Sequence, residues 1–260
     1  MKTPITYYGG KQQMLPEILP LIPAHDIYTE AFIGGGAVFW AKPKAAKIEV
    51  INDLNRQLTT FYKVVKERFP ELKKLVNQTL HSRRVHNDAW LIYQNPHLFT
   101  EVQLAWSIWC LSVQGFSGQL GASWGYDKSN SVMVRKIGNK KHEFTAELMD
   151  RLEAVQVECT DALKVIRLYD GPSAFHYVDP PYYNSACGHY DGYSQADFEE
   201  LLALLADVKG CFLLSSYPSE VLAEATKRYG WHTKQISKRV AVTPGAKHTK
   251  VEVLTANYEL

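Results

Sequence analysis

Short apolar runs that each end in glycines or an aspartate constrain the fold of this chain more than any other feature. Their length and their β-branched and aromatic residues predict strands, and helical patterns lie between them. The runs and the residues that follow are 27–32 with Gly34–Gly36, 47–51 with Asp53, 155–158 with Asp161, and 174–178 with Asp179. Because ligands bind at the carboxyl ends of parallel strands, we expect these residues along one edge of a doubly wound α/β sheet.

The C-terminal part of the chain continues this alternation. Residues 211–215 and 251–258 predict two more strands, and residues 232–237 predict a short edge strand. A capping box at Ser194, with Asp197 in place of the usual Glu or Gln, predicts the start of a helix over residues 198–208. A second helix is expected over Ser219–Tyr229, ended by Gly230.

Residues 55–150 interrupt the alternation, because they are far longer than a crossover between neighbouring strands requires. They contain helical patterns at residues 57–69 and 100–113, followed by a segment rich in glycine and serine at residues 114–137. We expect residues 1–54 and 151–260 to form the core, and residues 55–150 to form an inserted, mainly helical subdomain that carries a β-hairpin.

Charge and cysteine usage limit the functional classes. The chain of 260 residues has 29 Lys and Arg against 27 Asp and Glu, so a protein that coats polyanions by bulk charge is excluded. A local basic patch is not excluded. Four widely spaced cysteines with no Cys-x-x-Cys pair, and a first segment without the apolar run of a signal peptide, predict reduced thiols in a cytoplasmic protein with no metal site. No membrane span is expected, because no apolar run approaches about 18 residues. These cysteines are Cys110, Cys159, Cys187 and Cys211.

The glycine triplet and the next strand end together favour an adenosine-type ligand. A glycine turn after a strand lets the backbone approach a ligand closely. Phe39 stands where the dinucleotide motif needs its third glycine after Gly34 and Gly36, which makes a nicotinamide-dependent oxidoreductase a distant alternative. Asp53 follows the next strand, where an acid accepts hydrogen bonds from ribose hydroxyls.

The segment Asp179-Pro180-Pro181-Tyr182 is the most specific motif in the chain. Two prolines fix the backbone and remove two N–H donors, so the segment presents the Asp179 carboxylate and carbonyls as acceptors only. Tyr182 adds a flat ring. Such a site suits a planar group that carries an amine with two N–H donors.

The N-terminal segment Tyr7-Tyr8-Gly9-Gly10-Lys11 contains part of a phosphate-binding loop. Gln12 follows Lys11, and no glycine stands at position 5, so the full motif is absent and ATP hydrolysis is disfavoured.

Taken in order, these motifs resemble the Dam-type family (D12 class, alpha group) of DNA adenine-N6 methyltransferases. The resemblance rests on Tyr7-x-Gly9-Gly10-Lys11, Glu30-x-Phe32-x-Gly34-x-Gly36, Asp53 and Asp179–Tyr182, and it extends to Phe116-Ser117-Gly118 and Thr255–Tyr258. It covers nearly the whole chain, whose length is similar to that of the short phage and bacterial members.

This resemblance implies a Rossmann-like core that binds S-adenosylmethionine and an insertion that recognises double-stranded DNA. Asp179, Pro180, Pro181 and Tyr182 resemble the catalytic tetrapeptide, which acts on a flipped-out adenine. The residues that resemble cofactor contacts are Tyr7, Lys11, Phe32, Gly34, Gly36, Asp53, Asp161 and Asp179. We accordingly expect methylation within GATC-like sites, binding of the protein to DNA as a monomer, and no metal cofactor.

The DNA contacts are expected on the predicted hairpin and the basic cluster beside it. Arg, Asn and Gln can read base edges, whereas Lys mainly holds phosphates. The residues assigned to DNA are Gln119, Ser123, Trp124, Tyr126, Lys128, Asn130, Arg135 and Lys136. Methylation of cytosine N4 or of adenine in RNA remains open from the sequence, as does a catalytically silent DNA-binding module.

Overall fold

The computed structural model describes residues 1–45, 47–184, 193–243 and 246–260. Within these residues, helices and strands alternate in both terminal parts of the chain, and six consecutive α-helices lie between the second and third strands. The strands are Ile27–Glu30 (β1), Ile48–Asn52 (β2), Val155–Glu158 (β3), Ala174–Val178 (β4), Cys211–Ser216 (β5), His232–Thr243 (β6) and Ala246–Ala256 (β7). The α-helices are Leu15–Ile18 (α1), Ala37–Ala41 (α2), Arg56–Glu67 (α3), Phe69–Gln78 (α4), Arg83–Gln94 (α5), Glu101–Gln114 (α6), Val132–Glu143 (α7), Glu147–Arg151 (α8), Ala162–Tyr169 (α9), Gln195–Asp207 (α10) and Glu220–Tyr229 (α11).

Within the described ranges, seven strands form one sheet in the order β3-β2-β1-β4-β5-β7-β6. Strands β2, β1, β4 and β5 are parallel to one another, and β7 lies antiparallel between β5 and β6. The chain first builds the sheet outward from β1 through β2, and later adds β4 on the other side of β1. This reversal places the switch point between β1 and β4. The predicted Rossmann-like, doubly wound mixed sheet is confirmed.

Capping signals begin and end the helices where the sequence predicts. At α10 the Ser194 hydroxyl accepts the N–H of Asp197, while the Asp197 carboxylate accepts the N–H of Ser194 at 2.6 Å. These reciprocal bonds satisfy two amides that the first helical turn leaves free. Helix α11 ends at Gly230, whose φ of 68° lies in the left-handed region that glycine adopts without strain.

The predicted hairpin within residues 114–137 is wrong. Gly115 and Trp124 form only an isolated bridge, and the chain enters helix α7 at Val132. The Asp127 carboxylate accepts the N–H of Met133 at 2.7 Å, so it satisfies a free amide in the first turn of α7. This bond favours a helix where a return strand was expected.

A long hairpin occurs instead at the C-terminal end of the sheet. The predicted short strand at residues 232–237 is the beginning of β6, which has 12 residues and pairs with β7 along nearly its whole length. Pairing with a partner strand supplies the hydrogen bonds that keep β6 extended beyond its alternating segment.

The chain divides into two compact units. One unit comprises Met1–Pro20, Ile33–Pro43 and Asn52–Cys159, and the other comprises Leu21–Phe32, Lys44–Ile51 and Thr160–Leu260. The predicted insertion, residues 55–150, falls inside the first unit, and its role as a separate domain stays a prediction. In the second unit, helices α9, α10 and α11 pack their apolar faces on the sheet in one core.

Cysteine chemistry and helix length bear on two further expectations. Cys110, Cys159 and Cys211 are free thiols, and Cys187 lies outside the described residues. Among the helices that the structure describes, none combines the length and the apolar content that a membrane crossing requires.

A buried histidine lies in the middle of β4. The Nδ1 atom of His176 is 2.7 Å from the Thr29 hydroxyl, and its Nε2 atom is 3.3 Å from the Asp170 carboxylate. Because a carboxylate only accepts, the neutral ring donates from Nε2 and accepts the Thr29 hydroxyl at Nδ1. Burial lowers the pKa of His176, and the attraction of Asp170 only partly opposes this shift.

We expect the stability of the protein to fall as the pH is lowered below about 6.5, the ordinary pKa of histidine. The unfolded chain then binds a proton at residue 176 that the folded chain resists, so the free energy of unfolding decreases. The contribution of His176 to stability is complete at pH values above its pKa in the unfolded chain. It is lost as the pH falls towards the lower pKa of His176 in the folded protein. Urea unfolding of the wild type and of His176→Gln between pH 8 and pH 5 measures this dependence.

At pH 8 the His176→Gln variant should be less stable by about 1–3 kcal/mol, because its buried partners lose well-placed hydrogen bonds. Its stability should also change less than that of the wild type between pH 7 and pH 5. Equal pH dependence in the two proteins would exclude His176 as the group responsible.

Candidate functional site

The glycine turn, residues 33–36, follows β1 and has a backbone that other residues would resist. Gly34 has a φ of 46° and Gly36 a φ of 67°, both in the left-handed region. A Cβ atom on Gly34 would meet the Tyr7 ring at 3.0 Å, and one on Gly36 would meet the Trp40 ring at 3.1 Å. Conformation and space therefore both require glycine at these two positions.

Asp53 fixes the glycine turn from the end of β2. Its Oδ2 atom accepts the N–H of Gly34 at 3.0 Å, and its Oδ1 atom accepts the N–H of Asn55 at 2.9 Å. Burial raises the pKa of Asp53, although both amides lower it. Each carboxylate oxygen has a further lone pair, so Asp53 can hold the turn and still accept a hydrogen bond from a ligand.

Tyr62 holds the same turn from helix α3. Its buried hydroxyl donates to the carbonyl oxygen of Gly34 at 2.6 Å. Tyr62 was not predicted from the sequence because it lies 28 positions after Gly34 on a helix, where an apolar face predicts only core packing. Gly34 is therefore bonded through both its N–H and its carbonyl group.

The other predicted cofactor residues have separate local partners. Lys11 is buried, and its ammonium group donates to the carbonyl of Gly9 at 2.8 Å. Phe32 contacts Tyr193 edge to face, with ring centroids 6.5 Å apart. Asp161 caps helix α9, where its carboxylate accepts the N–H of Lys164 at 3.0 Å.

The segment Asp179–Tyr182 begins where the fully buried strand β4 ends. The Tyr182 hydroxyl is 3.1 Å from Oδ1 of Asp179 and 3.0 Å from the hydroxyl of Ser215. Burial raises the pKa of Tyr182 well above its ordinary value, so the hydroxyl keeps its proton. Since it has one proton to donate, it donates to Asp179 and accepts from Ser215. These bonds fix the position of the Asp179 carboxylate.

Ser215 and Tyr217 are site residues that were not predicted from the sequence. Ser215 lies in β5, the strand next to β4, and Tyr217 packs edge to face on Tyr182 with centroids 4.4 Å apart. A polar residue at the end of a predicted strand was the available signal, because β5 ends at the same sheet edge as β4.

The residues assigned to DNA lie on a loop and a helix in the first unit. Ser123, Tyr126, Lys128, Asn130 and Arg135 are exposed, whereas Gln119, Trp124 and Lys136 are half-buried. Burial lowers the pKa of Lys136.

Gln114 fixes this loop. Its side chain is fully buried and bonds four groups: its Oε1 atom accepts from the N–H of Ser82 and from the indole N–H of Trp124, and its Nε2 atom donates to the carbonyl of Leu80 and to Sγ of Cys110.

Arg83 adds a cation to this loop surface. Its guanidinium lies 4.8 Å from the centroid of the Trp124 ring and 5.7 Å from that of Tyr126, and the two rings stack on each other. Cation–π contacts of this kind hold an arginine in place without neutralising its charge. The loop therefore presents a fixed positive charge beside an exposed aromatic ring.

A metal site would need several ligating side chains close together. Across the parts of the chain that the structure describes, His, Cys, Asp and Glu side chains do not form a group of three or more suited to a metal ion. The expected absence of a metal stays a prediction.

The sheet order, the glycine turn and the acceptor segment agree with the Rossmann-like methyltransferase that the sequence predicts. The family of D12 class N6 adenine-specific DNA methyltransferases matches residues 7–238, and this chain belongs to that family. The resemblance seen in the sequence is thereby confirmed.

Two individual proteins show how far the similarity extends. The modification methylase LlaI of Lactococcus lactis subsp. lactis is 25% identical over 283 residues, which cover 99% of this chain and 43% of that protein. The chain thus spans less than half the length of this curated relative. A precorrin-6y C5,15-methyltransferase structure from Geobacter metallireducens matches with a TM-score of 0.39 and 9% identity, covering 94% of this chain and 86% of that chain.

We expect Tyr62→Phe to lower the free energy of unfolding by about 1–3 kcal/mol, because the carbonyl of Gly34 loses its buried donor. Hydrogen exchange at residues 34–36 should accelerate as the turn loosens. Tyr229→Phe, at a more exposed ring on α11, removes the same hydroxyl and is the matched control. Equal stability and exchange in the two variants would contradict this role for Tyr62.

Proposed function

We propose that this protein transfers a methyl group from S-adenosylmethionine to the exocyclic N6 atom of a flipped-out adenine in double-stranded DNA. Family membership supports the reaction class. The observation that carries the proposal is the segment Asp179–Tyr182 at the end of a buried strand, where the Asp179 carboxylate accepts from Tyr182 and Tyr182 is held in turn by Ser215.

The acceptor segment suits the amine of adenine. This amine has two N–H groups, and Asp179 and the carbonyl of Pro180 supply two acceptors on a backbone that the prolines make rigid. Hydrogen bonds to both N–H groups favour a more tetrahedral nitrogen, whose lone pair is no longer delocalised into the ring. The nitrogen would form the new N–C bond as the bond between the methyl group and the sulfur of the cofactor breaks. One of its two protons would pass to the Asp179 carboxylate and from there to water, which leaves a neutral N6-methylamino group and a neutral thioether.

The glycine turn suits a cofactor with a nucleoside and an amino-acid portion. Gly34 and Gly36 give the turn after β1 a left-handed backbone that glycine adopts without strain, and the remaining lone pairs of Asp53 can accept hydrogen bonds from ribose hydroxyls. When bound, S-adenosylmethionine supplies an electrophilic methyl group on a positively charged sulfur. Tyr7, Lys11, Phe32 and Asp161 remain the other proposed contacts.

The main contribution of this chain to the reaction is to hold the glycine turn and the Asp179 carboxylate in fixed positions. The hydrogen bonds of Asp53, Tyr62, Tyr182 and Ser215 hold the turn and the carboxylate in place before any ligand binds. Placing acceptors in advance reduces the reorganisation that the reaction requires.

The insertion, residues 55–150, is the proposed target-recognition domain. Its exposed residues Tyr126, Lys128, Asn130 and Arg135, together with Arg83, supply aromatic, amide and cationic groups that contact bases and phosphates. Because an exocyclic amine cannot be reached inside a duplex, the adenine must be flipped out. GATC-like sites are the first sequences to test, and similarity to a modification methylase is consistent with a role beside a restriction enzyme.

Incubation of the protein with labelled S-adenosylmethionine and mixed-sequence duplex DNA tests the proposal. After digestion to nucleosides, we expect the label on N6-methyladenine. Label on N4-methylcytosine, on RNA supplied in parallel or on the protein itself would refute the assigned substrate. DNA binding without any transfer would identify a silent DNA-binding module.

We expect Asp179→Asn and Asp179→Ala to lower kcat by at least about 100-fold, because asparagine replaces the charged acceptor of the amine with a weaker neutral one and alanine removes it. Binding of DNA and of the cofactor should stay within about threefold of the wild type, measured by anisotropy and calorimetry. Asp207→Asn makes the same change of charge at an exposed position at the end of α10. Full activity of the Asp179 variants would remove this residue from the mechanism.

A further inference from the structure

The two C-terminal strands extend beyond the rest of the sheet. Strand β5 pairs with β7 only from Leu213↔Ala256 to Ser216↔Val253. Strand β6 continues to pair with β7 from Ser237↔Val251 to Thr243↔Ala246. We call residues 237–243 and 246–251 the β6–β7 arm. At about 3.4 Å per residue, the arm extends about 20 Å past the end of β5.

The arm extends from the edge of the sheet that carries Asp179. Strands β4 and β5 are parallel, with Val178 opposite Leu214, so their carboxyl ends lie at one edge. Asp179 directly follows β4, and Ser216 is the last residue of β5. Because β7 runs antiparallel to β5, the residues of β7 before Val253 continue past this edge.

The segment of the second unit that contains the arm carries positive charges and no negative ones. Residues 233–251 contain five Lys and Arg residues and no Asp or Glu, whereas the whole chain has a net charge of +2. The remainder of the chain is therefore net acidic. The cations within the arm are Lys238, Arg239, Lys247 and Lys250.

The register of the arm adds a second observation. Lys238 stands directly opposite Lys250 in the antiparallel ladder, and Arg239 is the next residue along β6. Because successive residues of a strand belong to opposite faces, this register assigns Lys238 and Lys250 to one face of the ribbon and Arg239 and Lys247 to the other. Cationic positions on both faces suit an anionic partner that surrounds the ribbon, such as the two phosphate walls of a duplex groove.

We propose that the β6–β7 arm binds the phosphate backbone of the duplex beside the flipped adenine. This proposal rests on the proposed function. A two-stranded ribbon fits the major groove, and phosphate contacts position a protein without reading sequence. The family match covers residues 7–238, so three of the four cations of the arm lie outside the matched residues. The arm therefore supplies a phosphate-binding surface in the unit that carries Asp179, separate from the loop assigned to DNA in the first unit.

The test compares two fourfold variants that make the same change of net charge. The arm variant is Lys238→Gln, Arg239→Gln, Lys247→Gln and Lys250→Gln. The control variant replaces four exposed cations on α9 and α11 with glutamine, namely Lys164, Arg167, Lys227 and Arg228. Binding of a fluorescent duplex to each variant is measured by anisotropy between 50 and 200 mM salt. The cofactor affinity and the unfolding temperature of each variant are measured separately.

We expect the arm variant to bind DNA at least about tenfold more weakly, with equal reductions for cognate and unrelated duplexes. The slope of log affinity against log salt should decrease by about 0.9 for each phosphate that the variant no longer neutralises. Cofactor affinity and unfolding temperature should not change. Two double variants, one for each strand of the arm, should each show about half of this effect, and they provide the test if the fourfold variant does not fold.

The possible failures are distinguishable. If the wild type itself does not bind DNA, the proposed function fails. If the wild type binds and the arm variant matches the control, only the arm proposal is overturned. Lysines on an edge strand also prevent pairing with another copy of the chain, so light scattering accompanies the assay. Self-association of the arm variant with unchanged DNA affinity would likewise overturn the proposal.

Discussion

The parallel pairing of β1 with β4 is the constraint on which the rest of this structure depends. Ile27 to Glu30 pair in register with Ala174 to Tyr177, so the chain leaves both strands at the same edge of the sheet. A shift of this register by one residue would turn the buried side chains of β4 to the opposite face. The register therefore fixes which residues, Phe32 and Asp179 among them, follow the strands at the switch point.

The glycine turn and the Asp179 carboxylate are each held in place by hydrogen bonds from a neighbouring element of the fold, in addition to the residues of their own motif. Gly34 is bonded by Asp53 after β2 and by Tyr62 on α3. The Asp179 carboxylate is bonded by Tyr182, which is held in turn by Ser215 on β5. A motif thus supplies the reacting groups, while residues distant in sequence set their positions.

Local signals in the sequence were enough for most of the core. The strands β3 and β4 were predicted at their observed bounds, and the caps at Ser194 and Gly230 lie where predicted. The hairpin was placed in the wrong segment because glycine-rich turns do not show which strands will pair. Asp127 starts a helix there, and the long hairpin formed between β6 and β7 at the C-terminal end instead.

By itself the sequence determined the fold class, the order of the motifs and the resemblance that the family match confirms, because strand periodicity, caps and motif spacing are local properties of the chain. Only the tertiary structure decided that Tyr62 and Ser215 support the site and that the basic residues near the C-terminus lie on an arm beyond the edge that carries Asp179. These features depend on pairing and packing between residues far apart in the chain, which a local pattern does not encode.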